Sequence, residues 1–244
     1  VGDLVTVHQG WQTYIRTKDS DPSILKVPES KLNSSIFLGT LGMPGRTAYF
    51  GLNYVGKPQP GETLVVSAAS GAVGSVVGQL GKLIGCEVIG IAGGPKKSKY
   101  VTEELKFDKC IDYKNENVVE KLEKYCSNGI DIYFENVGGE ITKMVSKFLN
   151  KNARVPICGF ISKYNSTNIA GEETPFHVLG ALSPKPKHRF FVVTEWLNQF
   201  EKATSILHEH VKNDDIKFRE TITSGFENAP QGLRDVLSLS LIHI

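Results

Sequence analysis

From Glu62 onward the chain alternates short apolar runs with amphipathic stretches. The apolar runs fall at 63–67, 87–91, 109–112, 130–134 and 153–158, and the amphipathic stretches at 71–84, 96–106, 117–126 and 140–149. Runs of four to six residues rich in Val and Ile predict buried strands, and the stretches between them carry apolar residues at helical spacing. Strand and helix in regular alternation predict an α/β fold, a doubly wound parallel sheet with helices on both faces. Before Glu62 the pattern is weaker. Residues 3–7 alternate as a strand does, 19–35 is polar and proline-broken, and a glycine-rich turn at 39–45 opens a helix over 46–54. Residues 159–187 break the rhythm with Gly171, Pro175, Gly180, Pro184 and Pro186, and read as a long irregular loop. Phe190 to Val193 then reads as another buried strand, and 196–211 as a helix with Leu197, Phe200, Ala203, Thr204 and Leu207 on one face.

Composition narrows the function classes. The 244 residues carry 28 basic and 26 acidic side chains, a net charge of +2. That balance provides no broad field for nucleic acid or an anionic membrane. No run of about 18 apolar residues is present, so no membrane-spanning helix is expected. Cys86, Cys110, Cys126 and Cys158 are too widely spaced for a CxxC zinc site or a dense disulfide framework, which points to a reducing, cytoplasmic setting. The first residue is Val1, inside what reads as a strand, and the last residues repeat Leu-Ser without turn or cap. Both ends suggest a fragment with an atypical tail.

The chemistry begins at the first strong strand. Residues 63–67 run into Ala68-Ala69-Ser70-Gly71-Ala72-Val73-Gly74, and a helix follows. Against the template G-x-G-x-x-G, Ala69, Gly71 and Gly74 take the three places. Gly71 would let the backbone approach a pyrophosphate at the helix N-terminus, and Gly74 would allow close helix-to-strand packing. The alternative is tight packing with no ligand. An NAD enzyme carries an acid about 20 residues on, at the end of the second strand, for the ribose hydroxyls. Here that strand ends Ile91-Ala92-Gly93-Gly94-Pro95-Lys96-Lys97. The missing acid and the two lysines favour the 2′-phosphate of NADPH, the alternative being that the lysines only decorate an exposed helix start.

Four stretches in order carry a resemblance: 41–49 (Leu-Gly-Met-Pro-Gly-Arg-Thr-Ala-Tyr), 68–79 around the glycine turn, 135–139 (Glu-Asn-Val-Gly-Gly) and 158–165 (Cys-Gly-Phe-Ile-Ser-Lys-Tyr-Asn). Together they resemble the zinc-independent medium-chain dehydrogenases/reductases, in the group of prostaglandin reductases, leukotriene B4 dehydrogenases and 2-alkenal or curcumin reductases. The likeness runs over roughly residues 1 to 237. It implies a Rossmann domain at 46–215, part of a GroES-like β-rich catalytic domain at 1–45, and a return to that domain at 216–244, truncated and with an atypical tail. It also implies that much of the substrate pocket and a cofactor-contacting asparagine of the family's last strand lie outside this chain.

The resemblance further implies NADPH-dependent reduction of the carbon–carbon double bond of α,β-unsaturated ketones or aldehydes. Gly71, Ala72, Val73 and Gly74 would line the pyrophosphate, and Lys97 and Tyr113 the adenosine phosphate end. Asn136 would touch the ribose or nicotinamide. Cys158, Gly159, Phe160, Ile161, Ser162, Lys163 and Tyr164 would pass along the cofactor. Phe191, Val192 and Val193 would flank the nicotinamide, though Tyr113 as a surface aromatic and 191–193 as plain core are the alternatives. Hydride transfer to the β-carbon leaves charge on the carbonyl oxygen, and a donor there stabilises the transition state. Tyr164 is the candidate, as that donor or as an anchor for the nicotinamide ribose, with a ribose hydroxyl or water as substitutes. No metal is expected, because an enone is already electrophilic at carbon. The partner is a small enone or alkenal, and the full-length form is expected to be a homodimer. Residues 159–187 would cover the substrate.

Competing chemistry is thin. His208-Glu209-His210 is not HExxH, no G-x-S-x-G is present, and His8, His177, His188 and His243 are isolated. A non-catalytic NADPH-binding relative and a zinc alcohol dehydrogenase relative are the other classes.

Overall fold

A computed structural model describes residues 2–7, 9–18, 20–21, 23–168 and 171–238. The expectations placed on His8, His243 and the last six residues of the tail lie outside these. Two short antiparallel strands, β1 (Val5–Thr6) and β2 (Leu25–Lys26), precede helix α1 (Met43–Phe50). The helix begins three residues earlier than the pattern predicted, because Pro44 sits in its first turn, where its lost N–H costs nothing. It continues as a wider π-helical segment over Gly51–Gly56.

The parallel sheet follows. Its strands are β3 (Thr63–Ser67), β4 (Glu87–Ala92), β5 (Lys109–Asp112), β6 (Ile130–Phe134), β7 (Leu149–Ile157) and β8 (Lys187–Phe190), in the order β5-β4-β3-β6-β7-β8. The first five lie where the apolar runs predicted them, with β7 starting four residues early. Helices α2 (Gly74–Ile84), α3 (Pro95–Lys99), α4 (Val118–Tyr125) and α5 (Gly139–Ser146) occupy the intervals. The stretch expected as one helix over 96–106 is α3 followed by a π-helical turn, Tyr100–Glu104. Side chains of β3 alternate between the two faces: Leu64 and Val66 enter one apolar cluster and Val65 the other. All five residues of β3 are buried, as a strand covered on both faces must be.

Three expectations change after β7. The break at 159–187 is not wholly irregular, for it holds a 3-10 turn, Ile161–Lys163, and helix α6 (Pro175–Gly180). The quartet 190–193 is not a buried strand. Strand β8 lies just upstream, as the charged edge of the sheet, and of the quartet only Phe191 is buried. Its apolar residues straddle a strand end and a 3-10 segment, Val193–Gln199, so they do not share one face. The helix expected over 196–211 is broken for the same reason. Trp196 leaves helical geometry (φ −119°, ψ 29°), and the α-helix proper is α7 (Phe200–Lys212). The last described helix is α8 (Ala229–Leu237), which has no buried residue.

Candidate cofactor site

The sheet changes winding direction between β3 and β6, whose carboxyl ends lie side by side. In open α/β sheets this crevice is where ligands bind. The turn leaving β3 fills it. Ala68 takes a left-handed backbone (φ 49°), and its carbonyl oxygen accepts from Gly71 N at 2.9 Å. A Cβ at Gly74 would fall 2.3 Å from that same oxygen, so Gly74 is the close-packing glycine it was expected to be. Gly71 is different. A Cβ there would meet only Ala68 O, at 3.3 Å, a tight contact but well short of the overlap at Gly74. Its φ is not in the left-handed region. The helix starts at Gly74 and not at 71, which leaves Gly71, Ala72 and Val73 as the turn before it.

Alanine at the first glycine place of the template has a compensation. Ala69 is fully buried, and its methyl occupies the space that a side chain at Gly90 would need, 2.8 Å from the Cβ position. A methyl on the turn is traded for its absence on the neighbouring strand.

One cavity of about 230 Å³ gathers Gly71, Lys97, Tyr113 and Ser162 among its lining, together with Gly93 and Val137. These are four of the predicted residues, brought from the ends of β3, β4, β5 and β7. The Tyr113 ring lies across the Cα of Gly93. Lys97 is half-buried while Lys96 is exposed, which separates the two lysines that the sequence left equivalent. Burial, helped by the nearby charge of Lys114, pulls the Lys97 ammonium below the usual lysine range. An anion here would relieve both effects. Asp112 pairs in register with Ala92 at the end of β4, and it is committed: it accepts from Gly94 N at 2.6 Å, Lys114 N at 3.1 Å and Asn115 Nδ2 at 2.7 Å. Burial raises its pKa, but these bonds outweigh burial and hold it below the usual carboxylate range. A bare Gly71 backbone, a half-buried cation and a lining without acids fit a pyrophosphate and a 2′-phosphate.

The remaining predicted residues stand elsewhere. Ala72 lines a small neighbouring cleft, and Val73 caps α2. Asn136 is held by β3: its backbone N donates to Ser67 Oγ at 2.9 Å and its Nδ2 to Ser67 O at 2.7 Å. Cys158 and Gly159 donate their N–H groups to the Glu135 carbonyl at 2.9 and 3.3 Å, and Ile161 N donates to Asn136 O at 3.1 Å. Burial, with Glu135 nearby, pushes the Cys158 thiol up to about 12. Phe160 and Tyr164 meet edge to face at 5.8 Å, and Phe160 N donates to the Tyr164 hydroxyl at 3.4 Å. Tyr164 is half exposed, with its hydroxyl beside Gly159. Lys163 pairs with Glu172. Phe191 packs on Phe134 and Trp196 as core, Val192 is exposed, and Val193 lines a separate cavity with Met43 and Arg46.

Residues outside the expectations also belong to the site. Val236 of α8 reaches the cavity wall. The carboxylate of Glu135 is fully buried, and its Oε1 accepts from Val137 N at 2.7 Å, Gly138 N at 3.0 Å and Ser67 Oγ at 3.2 Å. Its other oxygen accepts from Thr142 Oγ1. The sequence holds a signal for Glu135, an acid directly after an apolar strand and before Gly138-Gly139, but the family resemblance singles out only Asn136 in that stretch. A larger cavity, about 460 Å³, lies between β2 and α7, but no phosphate cradle opens into it. Among the described residues no three His, Cys, Asp or Glu side chains gather as metal ligands, and no helix is long and apolar enough to cross a membrane.

The family profile described as zinc-binding dehydrogenase matches residues 72–198. The chain is 44% identical over 233 residues to the NADPH-dependent curcumin reductase of Escherichia coli (strain K12), covering 94% of this chain and 67% of that enzyme. It is 35% identical to the NADP(+)-dependent 2-alkenal reductase of Nicotiana tabacum, covering 97% of this chain and 68% of that one. The crystal structure of CurA from Vibrio vulnificus in complex with NADPH superposes with a TM-score of 0.84 at 42% identity, over 92% of this chain and 68% of that one. The chain therefore belongs to the medium-chain dehydrogenases/reductases, in the zinc-independent group that includes the curcumin, 2-alkenal and prostaglandin reductases.

Proposed function

We infer that this protein uses NADPH to reduce the carbon–carbon double bond of α,β-unsaturated ketones or aldehydes. The observation that carries the reading is the convergence of Gly71, Lys97 and Tyr113 on one cavity at the β3–β6 crevice. Names of relatives that reduce curcumin and 2-alkenals support the substrate class. Bound NADPH supplies the hydride for the β-carbon. The Gly71–Gly74 turn receives the pyrophosphate on bare backbone, and Lys97 with Tyr113 holds the 2′-phosphate end. Asn136 and the strand–turn 158–164 border the nicotinamide half, and the family resemblance adds Phe191, Val192 and Val193 flanking it. The Tyr164 hydroxyl donates to the developing enolate oxygen or anchors the ribose. Its contact with Phe160 N is a long hydrogen bond in which it accepts, so its own proton can be given to a new partner.

The same reading assigns 1–45 and 216–244 to a partial catalytic domain and 46–215 to the nucleotide domain. It places the loop over α6 across the substrate. It includes a homodimer, for which β8 offers a sheet edge unpaired among the described residues, with Phe190 exposed beside Phe176. It includes a cytoplasmic location, consistent with four free cysteines.

The test is to mix the protein with NADPH and a simple enone, 3-nonen-2-one, and to follow loss of reduced nicotinamide and of the enone together. Equal loss of both is expected, with Tyr164→Phe lowering kcat more than it raises KM for NADPH. Binding of NADPH with no turnover would assign the chain to the non-catalytic alternative, and no binding would overturn the reading.

A further inference from the structure

We propose that Glu135 is a positioning residue, a buried carboxylate that fixes the wall of the cofactor site formed at the ends of β3, β6 and β7. The proposal rests on the functional reading above. Three strand ends meet at this one residue. Its side chain holds β3 through Ser67 Oγ, the turn after β6 through Val137 N and Gly138 N, and α5 through Thr142 Oγ1. Its own carbonyl holds the end of β7 through Cys158 N and Gly159 N. Ser67 in turn holds Asn136 by two hydrogen bonds, and Asn136 O and Val137 O receive Ile161 N and Ser162 N. Val137 and Ser162, which the network fixes, both line the cavity.

The arrangement is more than strand packing requires. A fully buried carboxylate held by neutral donors, with no Lys or Arg paired to it among the described residues, is an expensive group to place in a core. Its four donors all come from segments bordering the crevice, and none from the far end of the sheet. An apolar side chain of the same volume would fill the space and leave Val137 N and Gly138 N without an acceptor. The 136–138 turn would then be free to relax, and with it the wall that faces the cofactor. Lys97 and Tyr113 follow β4 and β5, outside this network. The effect of losing Glu135 is therefore uneven along the cofactor, which distinguishes positioning from general destabilisation.

The experiment titrates two ligands into the whole chain: NADPH, and adenosine 2′,5′-bisphosphate, which carries only the adenosine end. Glu135→Ala is expected to weaken NADPH by about tenfold or more while the bisphosphate changes by less than about threefold. Glu135→Gln keeps one oxygen for Val137 N, Gly138 N and Ser67, and its amide can donate to Thr142 Oγ1 in place of the lost acceptor. It is expected to recover most of the NADPH affinity. Should Glu135→Ala not fold, Ser67→Ala takes its place, since it removes the acceptor of Asn136 N, and must show the same split. Equal loss of both ligands, unchanged NADPH affinity in a folded variant, or a Gln variant no better than Ala would each overturn the proposal. Failure of the unaltered chain to bind NADPH at all overturns the functional reading beneath it, so the two failures are distinct.

Discussion

The ring of Tyr113 lies so close over Gly93 that a Cβ there would fall 2.8 Å from a ring carbon. With Tyr113 in place, any side chain at Gly93, an acid for the ribose hydroxyls included, would have to push the ring aside. The same contact leaves the half-buried Lys97 facing the cavity beside the aromatic ring.

Cofactor choice follows from this pair. Lys97→Ala should weaken NADPH by at least about tenfold, about 1.4 kcal/mol, and leave NADH nearly unchanged. The pH dependence has a fixed sign. Because the Lys97 ammonium titrates below the usual lysine range, NADPH affinity should fall as pH rises toward that lowered pKa, and the fall should be missing in Lys97→Ala. Isothermal titration with both cofactors across pH checks both statements. Equal losses for NADPH and NADH would remove Lys97 from the phosphate.

The glycines of the turn and of α2 should separate cleanly. Gly71→Val adds bulk where the Cβ presses on one backbone oxygen only, so folding should survive while NADPH affinity drops by tens of fold. Gly78→Ala should do the opposite. A Cβ at Gly78 would lie 1.8 Å from the Phe107 ring, and displacing that ring costs about 1–3 kcal/mol. Thermal melts paired with NADPH titrations distinguish the two patterns.

Tyr133 is fully buried beside Ser67, Glu135 and Thr142, yet its hydroxyl completes no hydrogen bond. Burial, with the nearby Glu135, drives its pKa well above the usual phenol range, so the ring stays neutral. Removing the hydroxyl removes an unsatisfied donor. Tyr133→Phe should leave stability unchanged or raise it by about 1 kcal/mol, as read by denaturant unfolding. A loss of more than about 1 kcal/mol would show that the hydroxyl is satisfied in solution.

None of the four cysteines should be a ready nucleophile. Burial comes first among the causes that push Cys86 and Cys110 up to about 11 and Cys126 and Cys158 up to about 12. The thiolate is the reactive species, so alkylation by iodoacetamide at mildly alkaline pH should be slow in the folded protein and fast after denaturation. Rapid labelling of Cys158 before unfolding would contradict its environment.

The sheet is legible in the sequence because its central strands are buried on both faces, and a continuous apolar run as short as 63–67 suits a doubly covered strand better than a helix. The pattern misleads at 190–193, where four apolar residues belong to two elements and only Phe191 enters the core. Local hydropathy cannot see that β8 is an edge strand, because its neighbour β7 ends 30 residues earlier in the chain. Lys97 and Tyr113 are legible, the first through the missing acid and the second through the family resemblance. Glu135 is legible only as an acid that directly follows an apolar strand, since nothing local distinguishes a buried acid that ties several segments together from one that ends a strand at the surface. Its importance comes from Ser67 and Thr142, partners 68 and 7 residues away.

Gly51 joins α1 to the sheet with no room to spare. A Cβ there would fall 2.3 Å from the Phe191 ring and 2.9 Å from that of Phe134. Phe191 is thus seated directly against the helix backbone, with no side chain between them to act as a cushion. A shift of α1, which also touches α7 and bears Arg46 over Phe200, would press its backbone directly on Phe191. The chain has a stiff lever running from its α1–α7 flank to the segment that follows β8. Even a single methyl group at position 51 would pry that lever out of place.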